Sequence, residues 1–553
     1  MVGSQNLTRK RRILFCGEAS YLSTGYATYT REVLRRLHST GKYDIAELGT
    51  YGKPEEPEIK DVPWKFYPNI PDVNNTKAVE EYNSNNTNQF GAWKFESICL
   101  DFKPDIVCDI RDFWMMEFQE RSPFRKFYNW TIMPTVDAAP QHKQWIYTYA
   151  NADGVFTYSD WALSSLKEQS GASINCLGSA PPSADSSYSP VQDKEAHKRS
   201  LGFEDDVKII GTVMRNQRRK LYPDLFEAFR LFLDKSGRTD VYLYCHTSYP
   251  DLGWDLPEIM MKNGVASRCL FTYICGECGY VFPDFFKDAI SQCKKCNKYS
   301  AKLSNVRHGV PVNILSSIVN CFDLYVQYAI CEGFGMPQVE AGACGVPVAA
   351  TNYSAMEDTL HWLKGYKINV RTMARELETN AERAYPDNTH LAKIIEKHLS
   401  LPEEKRIKKC VQTRQATKKR YTWDMAAQAW MDYIDTYQPV GQQGQWDAPP
   451  NLYNIPESIP ENLDNQQFII WLYTEFVKET HKAFTYEGNK LLCDLACGAT
   501  IDYGNMDVLD RDKLFERYKL IANNKIVCEK ARVGILSLSQ DAYLNEAYKR
   551  KKS

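Results

Sequence analysis

Residues 331–350 read CEGFGMPQVEAGACGVPVAA, which sets Glu332 and Glu340 eight residues apart around a Gly-Phe-Gly turn and a proline. Gly333 and Gly335 let a backbone come close to a ligand, Pro337 suits the first turn of a helix, and residues 337–344 read as that helix. Free N–H groups at its start favour an anion. Glu332 precedes the turn and Glu340 falls about one turn into the helix, so both carboxylates can face one ligand while the backbone amides hold its phosphate. A sugar nucleotide offers that combination of hydroxyls and diphosphate. A buried strand–turn–helix corner, whose carboxylates cap N–H groups and pair with bases, would read the same way.

The neighbours of the pair narrow the choice. With GFGMP, the following helix and the strand-like GVPVAAT (345–351), the stretch resembles the donor-binding motif of retaining, nucleotide-sugar-dependent glycosyltransferases of the GT-B fold, the E-x7-E family or glycosyl transferases group 1. The resemblance implies that Glu332 lies by the donor sugar and Glu340 holds the ribose hydroxyls. It places Gly333, Phe334, Gly335 and Met336 around the donor.

At 553 residues the chain is long enough for two or three domains with sizeable cores. A formal charge of −1, with 25% charged and 43% hydrophobic residues, is ordinary for a globular protein and carries no bulk basic excess that would demand nucleic acid or membrane. The basic clusters at Arg9–Arg12 and Lys549–Lys552 read as solvated termini. The N-terminus runs straight into ILFCGEAS, which reads as lacking a secretory signal, and no apolar run approaches the roughly 18 residues of a spanning helix. Seventeen cysteines are scattered, many in apolar runs such as RILFC and DIVCDI, the pattern of reduced thiols in a cytoplasmic protein. The sequons at Asn74, Asn85 and Asn129 are then expected to be unused.

An N-terminal Rossmann-like domain is expected over residues 1–195, on the acceptor side by the resemblance. A strand at 11–16, the loop GEASYLSTGY and the helical period of 27–40 open it. Gly25 stands before the helix, where a side chain would obstruct a phosphate, although a plain tight turn accounts for it equally well. GYATYTREVL (25–34) resembles the family's Gly-rich loop and helix. Strands at 42–49, 105–110, 130–137 and 154–159 alternate with helices, which argues for a parallel sheet with ligands at its carboxyl edge. Asp137 closes one of these strands. The resemblance sets it where members carry a His or Asp beside acceptor and sugar, while a helix cap before 141–150 is the other reading. Asp160 reads as the cap of WALSSLKEQ.

A C-terminal, nucleotide-sugar-binding Rossmann-like domain is expected over 196–438, after a Ser/Pro/Ala-rich hinge at 178–200. Strand 207–214 leads through a basic loop to a helix from about 222. Arg215 and Lys220 span that loop, with Arg218 and Arg219 between them; a guanidinium and an ammonium suit a diphosphate, and a solvated loop is the alternative. The family carries Arg and Lys at this spacing for the donor diphosphate. YTWDMAAQAWMDYIDTY (421–437) resembles the closing helix that crosses back to the first domain. The resemblance covers about residues 11–437.

Two features depart from that plan. Cys275, Cys278, Cys293 and Cys296 form two C-x-x-C pairs with metal-ligand spacing, so a structural Zn²⁺ ribbon is expected over 272–300, inserted in the second domain. Residues 439–553 form a C-terminal extension, expected to be partly helical at 464–484, with Phe468, Trp471, Leu472 and Phe476 on a face that could dock on the enzyme or make an oligomer. CDLACGAT (493–500) has the look of a methyltransferase's first turn, but too few residues follow for that fold.

The expected fold class is therefore α/β, two Rossmann-like domains in GT-B architecture with a zinc-ribbon insertion and a C-terminal extension. The resemblance implies a retaining glycosyltransferase that takes its sugar from a nucleotide-diphosphate-sugar co-substrate. No D-x-D motif stands at a matching place, so basic groups are expected to replace a divalent ion in catalysis. The acceptor stays open among modified DNA (a phage-type base glycosyltransferase), glycans and small molecules. A non-catalytic sugar-nucleotide-binding scaffold that recruits nucleic acid or protein through the ribbon is the other reading.

Overall fold

Runs such as Ile13–Cys16 are apolar at every position, as strands covered on both faces must be, and helical segments separate them. The result is a seven-stranded, all-parallel sheet of β1 (Arg11–Glu18), β2 (Tyr43–Thr50), β3 (Lys65–Pro68), β4 (Ile106–Asp109), β5 (Asn129–Ile132), β6 (Gly154–Thr157) and β7 (Cys176–Ser179), in the order β3-β2-β1-β4-β5-β6-β7. The computed structural model describes residues 10–437 except 123, 288–289 and 306–308, together with 446, 458–465, 467–468, 471, 510–512 and 515. These fall into two units: residues 10–117 with 128–437, and residues 118–127 with the described positions after 440.

A second sheet follows in the first unit. It contains β8 (Lys208–Val213), β9 (Val241–His246), β10 (Cys269–Cys275), β11 (Val281–Phe285), β12 (Ser291–Gln292), β13 (Tyr299–Leu303), β14 (Leu324–Gln327), β15 (Val348–Thr351) and β16 (Tyr366–Ile368). The order is β12-β13-β10-β9-β8-β14-β15-β16, with β11 paired to β10 off this path. From β10 to β16 along that order the pairings are parallel, whereas β11 and β13 run antiparallel to β10. A separate antiparallel hairpin pairs β17 (Val370–Arg375) with β18 (Glu382–Pro386).

The chain passes twice between the two sheets. On the first passage the stretch expected as a hinge is strapped down: Tyr29 OH donates to Ala180 O at 2.8 Å, Ser316 Oγ to Ser187 O at 2.7 Å and Asn320 Nδ2 to Ser189 O at 3.0 Å. Its last part is the helix Lys194–Ser200, capped by Asp193. On the return, the helix Trp423–Thr436 lies against the first half. Trp430, fully buried, packs on Phe15 and Phe156 and donates to Tyr29 OH at 3.0 Å, and Tyr433 OH accepts from Asn129 Nδ2 at 2.8 Å. This is the crossing back expected of the closing helix.

Several expected details change. The strand expected at 130–137 stops at Ile132, so Thr135 and Asp137 stand in the loop beyond the sheet edge. Ser159, not Asp160, caps the helix Asp160–Ser170; the Asp160 carboxylate instead takes Arg420 at 3.0 Å and the Trp362 indole at 3.3 Å. His142 caps the helix Lys143–Ala150, which removes the cap reading for Asp137. In the second unit, the rings of Phe124 and Phe127 meet Trp446, and Trp471 lies between Phe468 and Phe515. The expected tail helix is described at its first positions, where Phe468 N donates to Asp464 O at 2.8 Å; most of that span, the stretch 493–500, Arg9 and Lys549–Lys552 lie outside the described residues. Among the described residues, no helix is long and apolar enough to cross a membrane.

Candidate active site and a four-cysteine cluster

The turn after β14 brings the two halves together. Gly335, at φ +85°, begins the helix Met336–Ala343 with Pro337 in its first turn. A Cβ on Gly333 would stand 2.5 Å from Thr135 Cγ2 in the other half, and one on Gly335 would stand 2.3 Å from Gln338 Nε2. Facing them, Thr24 Oγ1 caps the helix Gly25–Ser39, and a Cβ on Gly25 would meet Met336 Sδ at 3.7 Å. Two helix starts therefore lie within one side chain of each other, both presenting amide N–H groups. Phe334 is buried, its ring edge-on to Tyr421 where the chain turns back.

Glu332 is 6% exposed and is held from three sides. Its N–H donates to Ser354 Oγ at 3.0 Å, and its Oε1 accepts from Lys220 Nζ and from Gln327 Nε2. Burial pushes the Glu332 carboxyl up, but Lys220, Arg219 and Gln327 hold it below the usual carboxylate range, so it is ionised. Lys220 reaches it because its backbone bridges Ala329, which fixes the basic loop on the end of β14.

Arg219 is the group that the sequence did not distinguish among its neighbours. Glu332, Cys331, Asp137 and Tyr26 hold its guanidinium above its ordinary value, against the pull of desolvation. Tyr26 donates to Asp112 Oδ1 at 3.2 Å and shares a hydrogen bond with Thr135, and burial pushes the Asp112 carboxyl up. Tyr26 falls within GYATYTREVL and Arg219 within the basic loop, but neither pattern marks the residue, and Asp112 belongs to no motif.

Asp137 lies beside this centre but is not free. Arg383 Nη1 donates to Asp137 Oδ1 at 3.0 Å, and the Cys331 thiol donates to Oδ2 at 3.3 Å. Arg383, on β18, also binds Glu376 through Nε at 3.1 Å and Nη2 at 2.6 Å.

Arg215 is placed differently from Lys220. It makes a two-pronged pair with Asp251, at 2.8 and 3.0 Å, and lines a cavity of about 280 Å³. Val213, His246, Thr247, Ser304 and Pro337 share the lining, so the cavity sits at the carboxyl ends of β8 and β9 against the start of the helix Met336–Ala343. That is where an open α/β sheet takes its ligands. Glu340 is half-buried on this helix; burial pushes its carboxyl up to about 7, a hydrogen bond from Tyr188 draws it back, and Asp185 adds to the rise.

The four cysteines converge as their spacing requires. All four Sγ atoms lie within 4.8 Å of one another, with Cys275 to Cys296 at 3.6 Å and Cys278 to Cys293 at 3.7 Å. Thiolates about 2.3 Å from one tetrahedral ion stand about 3.8 Å apart, so the set fits a metal. Backbone N–H groups of Cys278 and Lys295 point at Cys275 and Cys293 sulfurs, both at 3.4 Å. The ribbon is not a separate appendage: β10 pairs with β9 through Cys269–Phe271 and with β13 through Tyr273–Cys275.

Residues 292–409 match the family model of glycosyl transferases group 1. The matched segment contains β14, the Glu332 turn and Glu340. Sucrose-phosphate synthase from Thermosynechococcus elongatus aligns over 77% of this chain and 99% of its own, at 14% identity and a TM-score of 0.54. A glycosyltransferase from Rickettsia africae aligns over 77% and 98%, at 15% identity and a TM-score of 0.53. Anabaena HepE, solved with UDP and glucose, aligns over 78% and 100%, at 12% identity and a TM-score of 0.53. The fold shared with these structures is GT-B, as expected. Curated protein sequences give no match.

Proposed function

We propose that the chain is a glycosyltransferase that moves a sugar from a nucleoside-diphosphate-sugar donor to an acceptor hydroxyl, with retention at the anomeric carbon. The observation that carries this reading is the convergence of Glu332, Lys220, Arg219 and Asp137, drawn from both halves, beside the starts of two helices. Sugar transfer of this kind requires stabilising negative charge as it grows on the departing diphosphate. Arg215, Lys220 and the amides of residues 333–336 supply that stabilisation, with Arg219 placed to add to it. Glu340 binds the ribose, Glu332 orients the sugar, and Asp137 stands on the acceptor side. These fixed cations make added Mg²⁺ or Mn²⁺ unnecessary for catalysis.

In this reading the cysteine cluster holds Zn²⁺ as a structural ion, because four thiolates leave no open coordination position. Buried thiols such as those of Cys16, Cys99 and Cys108 support a cytoplasmic setting. The UDP and glucose bound by Anabaena HepE make a UDP-sugar the first donor to try.

The test is a thermal-shift screen of UDP-, GDP-, ADP- and CMP-sugars, followed by mass spectrometry of glycan, small-molecule and modified-DNA acceptor pools. A donor that stabilises the protein and is turned over, with Glu332→Gln reducing turnover about 10²-fold or more, is the expected result. Binding of no nucleotide by calorimetry would sink it. Turnover by zinc-loaded protein in Mg²⁺-free buffer is expected to equal that with added Mg²⁺; restoration by Mg²⁺ of a lost rate would overturn metal-independent catalysis.

A further inference from the structure

The four-cysteine cluster and the Arg215 cavity are joined by a short run of hydrogen bonds. β10 ends on the first thiol, Cys275, and three residues earlier Thr272 Oγ1 lies 2.9 Å from His246 Nδ1, in the cavity lining. Thr272 O accepts from Ser304 N at 3.0 Å, and Ser304 Oγ donates to Thr247 O at 3.1 Å. Ser304 and Asn305 line the same cavity and follow directly on β13, the strand by which the chain leaves the cluster. The cluster and that strand are in turn tied together: Cys275 Sγ lies 3.0 Å from Ser300 Oγ, and Gly276 N donates to Ser300 O at 2.9 Å.

The antiparallel register between β10 and β13 rests on three residue pairs, Tyr273–Leu303, Ile274–Lys302 and Cys275–Ala301. On its other side β13 pairs only with the two-residue strand β12, through Ser291–Ala301 and Gln292–Tyr299. An ion held by the four thiols would strengthen these short pairings, since metal binding at such knuckles is folding energy. Removing such an ion would loosen β13, and with it the Ser304–Asn305 wall and the support of Thr272 on His246.

We propose that the metal held by Cys275, Cys278, Cys293 and Cys296 sets one wall of the nucleotide cavity, so that donor affinity is linked to metal occupancy although the ion takes no part in the chemistry. This rests on the donor-site reading above.

The experiment compares full-length protein as isolated, after stripping with 1,10-phenanthroline, and after re-addition of Zn²⁺, with metal content measured in each. Affinities for UDP, GDP, ADP and CDP are read by calorimetry, and amide exchange is followed by mass spectrometry. The expected result is an affinity at least tenfold weaker after stripping, restored by Zn²⁺, with exchange rising in residues 241–248 and 299–305 while the helix Tyr222–Ser236 stays protected. Cys296→Ser should reproduce the stripped state. Equal affinity and equal exchange without the metal would overturn the proposal. So would exchange rising throughout the first unit, because the ion would then hold the whole fold and not this wall. If no nucleotide binds the metal-loaded protein, the donor-site reading fails, and exchange in 241–248 and 299–305 still decides the link between metal and wall.

Discussion

Glu332 and Lys220 bury opposite charges on each other, and the energetics of such pairs are asymmetric. Lys220→Ala leaves a carboxylate 6% exposed without its main cation and should cost about 3–5 kcal/mol in urea unfolding, together with activity. Adding Glu332→Gln should recover a large part of that loss of stability, though none of the turnover. Glu340 obeys a different rule, since burial raises its carboxyl from 4.5 to about 7. The folded state therefore binds the proton more tightly than the unfolded chain. This stability is fully present below about pH 4.5, is lost as pH rises towards 7, and does not change further above. Glu340→Gln should narrow the gap in thermal midpoint between about pH 5 and pH 8 by roughly 2–4 °C for each kcal/mol removed. The two glutamates were legible in the sequence because one short turn carries both. Arg219 was not, because RNQRRK offers several bases in a row and nothing in their spacing says which of them feels Glu332 and Asp137. Arg383 was equally hidden, a single base on a hairpin strand whose partner Asp137 lies 246 residues away.

Whole elements were easier to read where periodicity and burial agree. The strands that flank the site are largely buried, and the closing helix announces itself through Trp423, Trp430 and Ile434, all buried. Trp430→Ala removes the ring that packs on Phe15 and Phe156 and the donor to the Tyr29 hydroxyl; a cost of about 3–5 kcal/mol in chemical unfolding is expected. Less of the insertion was legible. The C-x-x-C spacing announces the thiols but not that β10 serves the ribbon and the main sheet at once, because strand pairing is a long-range property. The same reason explains the strand expected to reach Asp137: WTIMPTVD stays apolar past Ile132, yet β4 ends at Asp109 and offers no further partner. The stretch 178–200 has the composition of a loose linker, while its carbonyls are taken by Tyr29, Ser316 and Asn320.

At the scale of the first unit, two chain passages join halves that each carry part of one site. Asp137, Thr135 and Tyr26 come from the first half, and Glu332, Lys220 and Arg383 from the second, so the site exists only while the halves are held together. The bare α-carbon of Gly333 against the Thr135 methyl fixes how closely they can come. A single added methyl there acts as a shim: Gly333→Ala should leave each half folded, while transfer to the acceptor falls steeply and leakage of the donor to water persists. The ratio of hydrolysis to transfer in that variant would measure, in a rate, a gap otherwise seen only as a distance.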